Sequence, residues 1–204
     1  MCRNKLLFEY RVFGQDFGEA QAKLYELGKQ AEATENYDYY ILSEGNTRSN
    51  ILIRNKRLVI KELISIGKKL EKWNVNQAEP FPLSKEFVEN VFFPAVGIEA
   101  PNLERESYEI LQFIEEIINA DPDLKLVEVY KKKTEFIYNN CNCEIAENLI
   151  NGAFIRTFNI ESEVVQDVYT MLEYLGINGE FKNTNYPMII RQIIGLEPLV
   201  NYKL

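Results

Sequence analysis

Segment 6–14, LLFEYRVFG, has the alternation of a β-strand, yet it places Glu9 and Arg11 two residues apart and therefore on one face. The same pattern recurs along the chain. Asn50, Leu52 and Arg54 share a face in NILIRN, Val59, Lys61 and Leu63 in RLVIKELI, and Lys69, Glu71 and Trp73 in KKLEKWNV. In VYKKKTEF, Val129, Lys131, Lys133 and Glu135 share one face and Lys132 lies opposite. In RTFNIESE, Asn159 and Glu161 share one, with Arg156 near the start. Strand after strand thus brings charges of both signs to a single face. Two structures account for this. An antiparallel sheet commonly keeps one face wet, or the charged faces turn inward and line a closed barrel, which at eight strands has room for one small ligand.

The order of elements bears on that choice. After the first strand, Asp16-x-x-Glu19 has the form of a capping box. Phe17, Ala20, Leu24, Leu27 and Ala31 follow at helical spacing, which predicts a helix over 16–32. YDYYILS (37–43) reads as a strand and EGNTRSN (44–50) as a turn cluster. Three strands follow as a meander, with Asn55-Lys56 a tight turn between the first two and Gly67 between the last two. Pro80 and Pro82 end it, and Ser84 is placed to cap a short helix carrying Phe87, Val88, Val91 and Phe92. A longer helix is expected over 103–119, with Ile110, Leu111, Ile114, Ile117 and Ile118 as its stripe. Three more strands meet at Asn139-Asn140 and Asn151-Gly152. A helix closed by Gly176 follows, and a last one starts at Pro187 and ends at Gly195. Eight strands without βαβ alternation predict an α+β fold with a mainly antiparallel sheet. Five apolar-striped helices need sheet surface to cover, which favours a barrel, or tunnel, with helices packed outside. No linker or low-complexity run divides residues 1–204, so one domain is expected.

Composition narrows the chemistry. The 204 residues include no histidine, which removes the commonest general base and metal ligand. Cys2, Cys141 and Cys143 form no spaced framework, and without a second pair Cys141-Asn142-Cys143 is poorly suited to zinc. A net charge of −8 disfavours nonspecific nucleic-acid binding but says nothing about a local basic pocket. No apolar run is long enough to span a bilayer and no signal-peptide core is present, so a cytoplasmic protein with no membrane partner is expected. A lumen of arginines, lysines and a few carboxylates suits a polyanion: cations neutralise phosphate oxygens, and carboxylates hold a divalent metal that bridges them.

The pieces LFEYR (7–11), ILIRNKRLVIK (51–61), KKKTEF (131–136), NIE (159–161) and NTNYPMII (183–190) resemble, in order and spacing, the strand motifs of the CYTH superfamily, the triphosphate tunnel metalloenzymes. The family pattern is an E-x-E-x-K strand, an I-R-x…L-x-x-K hairpin, a K-x-R strand, a late E-x-E strand and a K-x-S-Y helix start. This chain departs from it at Leu7, where the first glutamate belongs, and at Asn159, which replaces one acid of the late pair. The resemblance implies an antiparallel barrel tunnel that binds a triphosphate group. It implies a metal-dependent hydrolase of an inorganic or organic triphosphate, using Mg²⁺ or Mn²⁺. Glu9 and Glu161, with Glu71, would hold the metal, and Arg11, Arg54, Lys61, Lys131, Lys133 and Arg156 would bind phosphate. The alternative is a module with the same tunnel that holds a polyphosphate or nucleotide without turnover. A scaffold with a merely wet sheet is the third possibility, and the oligomeric state stays open.

Overall fold

The structure is a computed structural model that describes residues 5–27, 33–67, 69–177 and 181–198. Its centre is a closed barrel of eight antiparallel strands. In chain order these are β1 (Lys5–Gly14), β2 (Thr34–Ser43), β3 (Ser49–Arg54), β4 (Arg57–Ile66), β5 (Glu71–Pro80), and then β8 (Leu124–Tyr138), β9 (Cys141–Ile150) and β10 (Ala153–Ser162). Two short strands, β6 (Leu83–Ser84) and β7 (Ser107–Tyr108), pair separately. Around the barrel the order is β1-β10-β9-β8-β2-β3-β4-β5, with β5 closing on β1.

Local chemistry builds the hairpins. Asn55 and Lys56 (φ 49° and 58°), Asn139 and Asn140 (45° and 60°), and Asn151 and Gly152 (47° and 82°) all occupy the left-handed region. A two-residue hairpin turn of matching twist requires that at both central positions, and Asn and Gly tolerate it best. These turns set the register, so Arg54 meets Arg57, Tyr138 meets Cys141, and Ile150 meets Ala153. Closure is non-local. β2 pairs with β8 from Thr34–Lys133 to Ser43–Leu124, and β1 pairs with β10 on one side and β5 on the other.

Four helices cover the outside. Gly18–Glu26 and Val165–Leu175 pack Ala20, Leu24, Val168, Met171 and Leu172 onto Tyr10, Val12, Phe136, Phe158 and Ile160. Helices 85–96 and 110–118 pack Val88, Phe92, Phe93, Phe113 and Ile117 onto Ile41, Ile51, Ile53, Leu58 and Ile60. Both of these contain a π-helical turn, Val88–Phe92 and Ile114–Ile118. The fifth helix, Tyr186–Ile193, is different. Its Tyr186, Ile189 and Ile190 join Phe13, Tyr40, Leu42, Leu52, Val127, Val129 and Ile150, which point into the barrel. It fills one end of the lumen.

Two helix starts differ from expectation. Asp16 makes no capping box; its Oδ1 accepts from Gly18 N at 3.0 Å, and Phe17 takes the N-cap position without a side-chain bond. Residues 28–32, with Ala31 of the expected stripe, lie outside the described residues, as does Cys2. The helix expected over 103–119 begins only at Ile110, because Glu109 and Gln112 form the capping box there while Ser107–Tyr108 is drawn into β7. Its Leu111, expected in the buried stripe, is 70% exposed. Ser84 caps as expected, accepting from Phe87 N at 3.2 Å.

Candidate functional site

The charged strand faces turn inward. Asp38 is 0% exposed, Lys131 3%, Arg11 7% and Glu9 8%. With the C-terminal helix in one end, the polar part of the lumen is left as a cavity of about 140 Å³. Arg11, Arg54, Lys61, Lys131 and Lys133 all line it, as do Glu9 and Glu161. Residues as far apart in sequence as Glu9 and Glu161 meet because directly opposed residues in neighbouring strands share a face.

Four of these five cations are held by carboxylates. Arg11 donates from Nε to Glu9 and from Nη1 to Glu144, both at 3.1 Å, and its guanidinium lies 4.8 Å from the Tyr186 ring centre. Arg54 grips Asp38 with two nitrogens, Nε to Oδ1 at 2.7 Å and Nη2 to Oδ2. Lys131 Nζ lies 2.8 Å from Asp38 Oδ2, donates to Tyr40 Oη at 2.7 Å, and sits 3.5 Å over the Tyr186 ring. Lys133 pairs with Glu135 at 2.9 Å and with Glu144 at 3.8 Å. Among the described residues Lys61 alone of these five has no ion pair within 4.0 Å.

The environment shifts these groups in different directions. Burial would lift the Asp38 carboxyl, but the Arg54 hydrogen bond and the Lys131 charge outweigh it and hold it below its ordinary value. Burial would likewise lift Glu144, and the charges of Arg11, Lys131 and Lys133 keep it low. Burial pulls the Lys131 ammonium down to about 7 against the opposing charge of Asp38. For Arg11, the Glu9 and Glu144 charges overcome burial and secure the cation.

Three carboxylates form a row across β5, β1 and β10: Glu71 lies opposite Glu9, and Glu9 opposite Glu161. They are not equivalent. Both Glu71 oxygens are occupied, Oε1 by Asn185 Nδ2 at 2.9 Å and Oε2 by Trp73 Nε1 at 3.0 Å. Glu71 is absent from the cavity lining, and burial pushes it up to about 7, with the neighbouring Glu9 charge adding to the rise. A metal ligand must be ionised and directed at the metal, and Glu71 is poorly placed for both. Glu161 is raised by burial and by the facing Glu9 charge. Nearby, Asn159 Oδ1 is buried without a hydrogen-bond partner among the described residues. No group of three or more Asp, Glu, Cys or His among the described residues is arranged to hold a metal ion. Mg²⁺ seldom needs such a cage, since it is usually bound by one or two carboxylates together with substrate phosphates and water. Two facing carboxylates beside an unpaired amide oxygen fit a divalent cation that keeps other oxygen ligands, and the described residues form no preassembled metal centre.

Arg156, expected with the phosphate ligands, does not line the cavity. Its Nη2 donates to Glu147 at 3.0 Å on the outer surface. The physical reason is period: Thr157, Asn159 and Glu161 point inward, so the even-numbered neighbour points out. Sequence reading missed Asp38, Tyr40, Glu144 and Tyr186. The available signal was alternation, since Cys141 and Cys143 are outward and buried under a helix, which turns Asn142 and Glu144 inward.

No family model matches the sequence, and no curated protein matches it significantly. Solved structures share the fold. A Pyrococcus horikoshii OT3 protein superposes with a TM-score of 0.54 at 15% identity, covering 89% of this chain and 99% of its own. A conserved hypothetical protein of Pyrococcus furiosus gives 0.50 at 14%, covering 89% and 99%. A Hippeastrum protein described as revealing a dominant triphosphatase activity gives 0.51 at 10%, covering 91% and 95%. At these identities the likeness is one of fold. Within the described residues no helix is long and apolar enough to cross a membrane.

Proposed function

We propose that the lumen of this barrel binds a triphosphate group, inorganic or carried by a nucleotide, and that with Mg²⁺ or Mn²⁺ the protein hydrolyses it. The observation that carries this reading is the convergence of Arg11, Arg54, Lys61, Lys131 and Lys133, from four different strands, on one cavity of about 140 Å³. Several fixed cations around a small closed space suit an anion with many oxygens, and arginine forks suit phosphate in particular. The resemblance to the triphosphate tunnel family and the triphosphatase activity described for the Hippeastrum protein of the same fold point the same way. Glu9 and Glu161 are the residues that would hold the metal. When bound, the metal would supply neutralisation of negative charge on the phosphate oxygens. The protein's own contribution is to fix the chain against Arg11, Arg54 and Lys61 and to keep bulk water away.

A second reading, binding without turnover, draws on one specific observation: Glu71 is tied to Asn185 and Trp73, which leaves two of the three carboxylates in the Glu71–Glu9–Glu161 row facing the cavity. A phosphate-release assay on tripolyphosphate and nucleoside triphosphates, with Mg²⁺, with Mn²⁺ and with chelator, separates the two. Metal-dependent release that Glu9→Gln and Glu161→Gln abolish establishes the hydrolase. Calorimetric binding of tripolyphosphate without release under any metal establishes the module, and no binding at all removes both.

A further inference from the structure

Among the described residues, no helix covers the outer wall of the barrel across the middle of β2, β8, β9 and β10. Strand register lays two rows of outward side chains straight across this bare wall. One row is Tyr37, Tyr130, Leu149 and Phe154, each directly opposite the next. Tyr37 is 55% exposed, Leu149 46% and Phe154 50%, and the half-buried Tyr130 holds its ring 5.3 Å from that of Tyr37. None of the four belongs to the sets that the outer helices bury. The neighbouring row is Glu35, Lys132, Glu147 and Arg156, again each opposite the next and all at least partly exposed. Lys132 pairs with Glu35 at 3.7 Å and Arg156 with Glu147 at 3.0 Å, so the row reads minus, plus, minus, plus. Beside the apolar row opens a groove of about 670 Å³, lined by Tyr37, Tyr130, Leu149, Gly152 and Ile194. A contiguous exposed apolar strip of this kind marks a surface that something covers.

We infer that two copies of this chain associate through this face, about a two-fold axis that runs parallel to the strands between β8 and β9. That operation turns the partner's rows end for end. Glu35 then faces the partner's Arg156 and Lys132 faces the partner's Glu147, so every charge meets its opposite. Tyr37 and Tyr130 meet the partner's Phe154 and the partner's Leu149. A two-fold axis along the rows would instead set like charges together, or charges against apolar groups. An isologous contact needs a face complementary to itself, and the alternation of sign provides one. Other occupants suit the face less well. Each cation of the row already pairs with a carboxylate, which leaves no surplus positive charge for nucleic acid. A closed barrel also offers no free strand edge for a peptide to extend. Apolar contact holds the pair together, and the charges set its register, since exposed ion pairs add little affinity. The two rows cover roughly 19 Å by 14 Å of sheet. That is small beside the roughly 800 Å² per partner of a standard interface, so the association is weak and concentration-dependent. The inference is independent of what the lumen binds, and it uses Lys132 and Arg156, which the lumen does not.

Sedimentation equilibrium on the full chain, from about 1 to about 500 µM, tests this. The expected result is an average mass that climbs from that of one chain towards that of two. Leu149→Glu changes an exposed residue at the centre of the face. It should raise the dimer dissociation constant more than about tenfold and leave the far-UV circular dichroism unchanged. Leu111→Glu, at a residue 70% exposed on the helix 110–118, should leave association as it is. Charge reversal gives the sharper reading. Glu35→Lys sets two cations against each other twice in the dimer, and Arg156→Glu does the same with two carboxylates. Each variant alone should therefore associate several-fold more weakly than wild type. Mixed in equal amounts, the two variants regain opposite charges across the interface, and the mixed dimer should form in preference to either variant's own. A monomer at every concentration overturns the inference. So does an association that Leu149→Glu leaves intact, or a mixture that associates no more tightly than its separate components. Binding of a single-stranded oligonucleotide by a chain that stays monomeric, lost in Tyr130→Ala, would assign the face to nucleic acid and overturn it as well.

Discussion

The two halves of one barrel interior are built on opposite principles. In one half Phe13, Leu42, Leu52, Val127 and Ile150 close on Ile189 and Ile190 of the C-terminal helix, and nothing there needs a partner beyond close contact. In the other half, along the same strands, Arg11, Arg54, Lys131 and Lys133 meet Asp38, Glu9, Glu135 and Glu144. The changeover takes a single step of the pleat: Val129 belongs to the apolar half and Lys131 to the polar one. Apolar burial stabilises without regard to direction, by about 1.5–3 kcal/mol per large side chain. Buried charges stabilise little in net terms, since desolvation offsets most of their attraction. The contrast teaches that the apolar half holds the barrel shut, while the ion pairs add little to that closure.

That contrast can be broken at several points. The largest effect is expected from Asp38→Ala, which strands the buried Lys131 ammonium and loosens Arg54. Breaking a buried pair from one side costs about 3–5 kcal/mol, readable as a drop in the urea midpoint. The double substitution Asp38→Leu with Lys131→Met should recover most of that loss while abolishing tripolyphosphate binding. If the double variant is no more stable than the single one, the ion pair is holding the fold and the contrast fails. In the apolar half, Ile190→Ala should cost about 2–5 kcal/mol, and it should weaken polyphosphate binding only where Tyr186 shifts.

Proton linkage at Glu71 comes next. Its folded pKa is raised, by burial first, from 4.5 to about 7. Between those values the folded state keeps a proton that the unfolded chain has released. Stability therefore falls as pH rises through that window, by a total on the order of 3 kcal/mol. Glu71→Gln should flatten that slope in denaturant titrations run at several pH values; an unchanged slope would assign the proton elsewhere. Lys61→Ala removes a cation with no ion pair among the described residues. It should leave stability near wild type and reduce tripolyphosphate affinity about ten- to hundredfold, measured by calorimetry. The smallest effect belongs to Arg156→Ala. Its pair with Glu147 is on the outer surface, so the expected change is about 0–1 kcal/mol in stability and none in polyphosphate affinity.

Much of this could be read from the chain. The strand periods, the Asn-rich turns and the inward charges of β1, β3, β4 and β8 follow from side-chain alternation and from which residues tolerate positive φ. Those are local properties that a few neighbouring residues settle. Arg156 shows the limit within a strand, because parity decides inside from outside and one residue of offset reverses it. The positions of Glu71 and Tyr186 show the larger limit. Nothing near Glu71 in sequence indicates that Asn185, 114 residues on, takes one of its oxygens, and nothing in NTNYPMII marks that helix as a stopper inside a barrel when its stripe would equally suit the outside. By itself the sequence determined the strands, their turns and the charges they carry. Only the tertiary structure decided that the helix Tyr186–Ile193 packs among the inward apolar residues, that Asp38 and Glu144 complete the charge network, and that Glu71 is turned away from it. The physical reason is that closing a barrel joins strands distant in sequence, and which groups then share a small, poorly hydrated space depends on that closure.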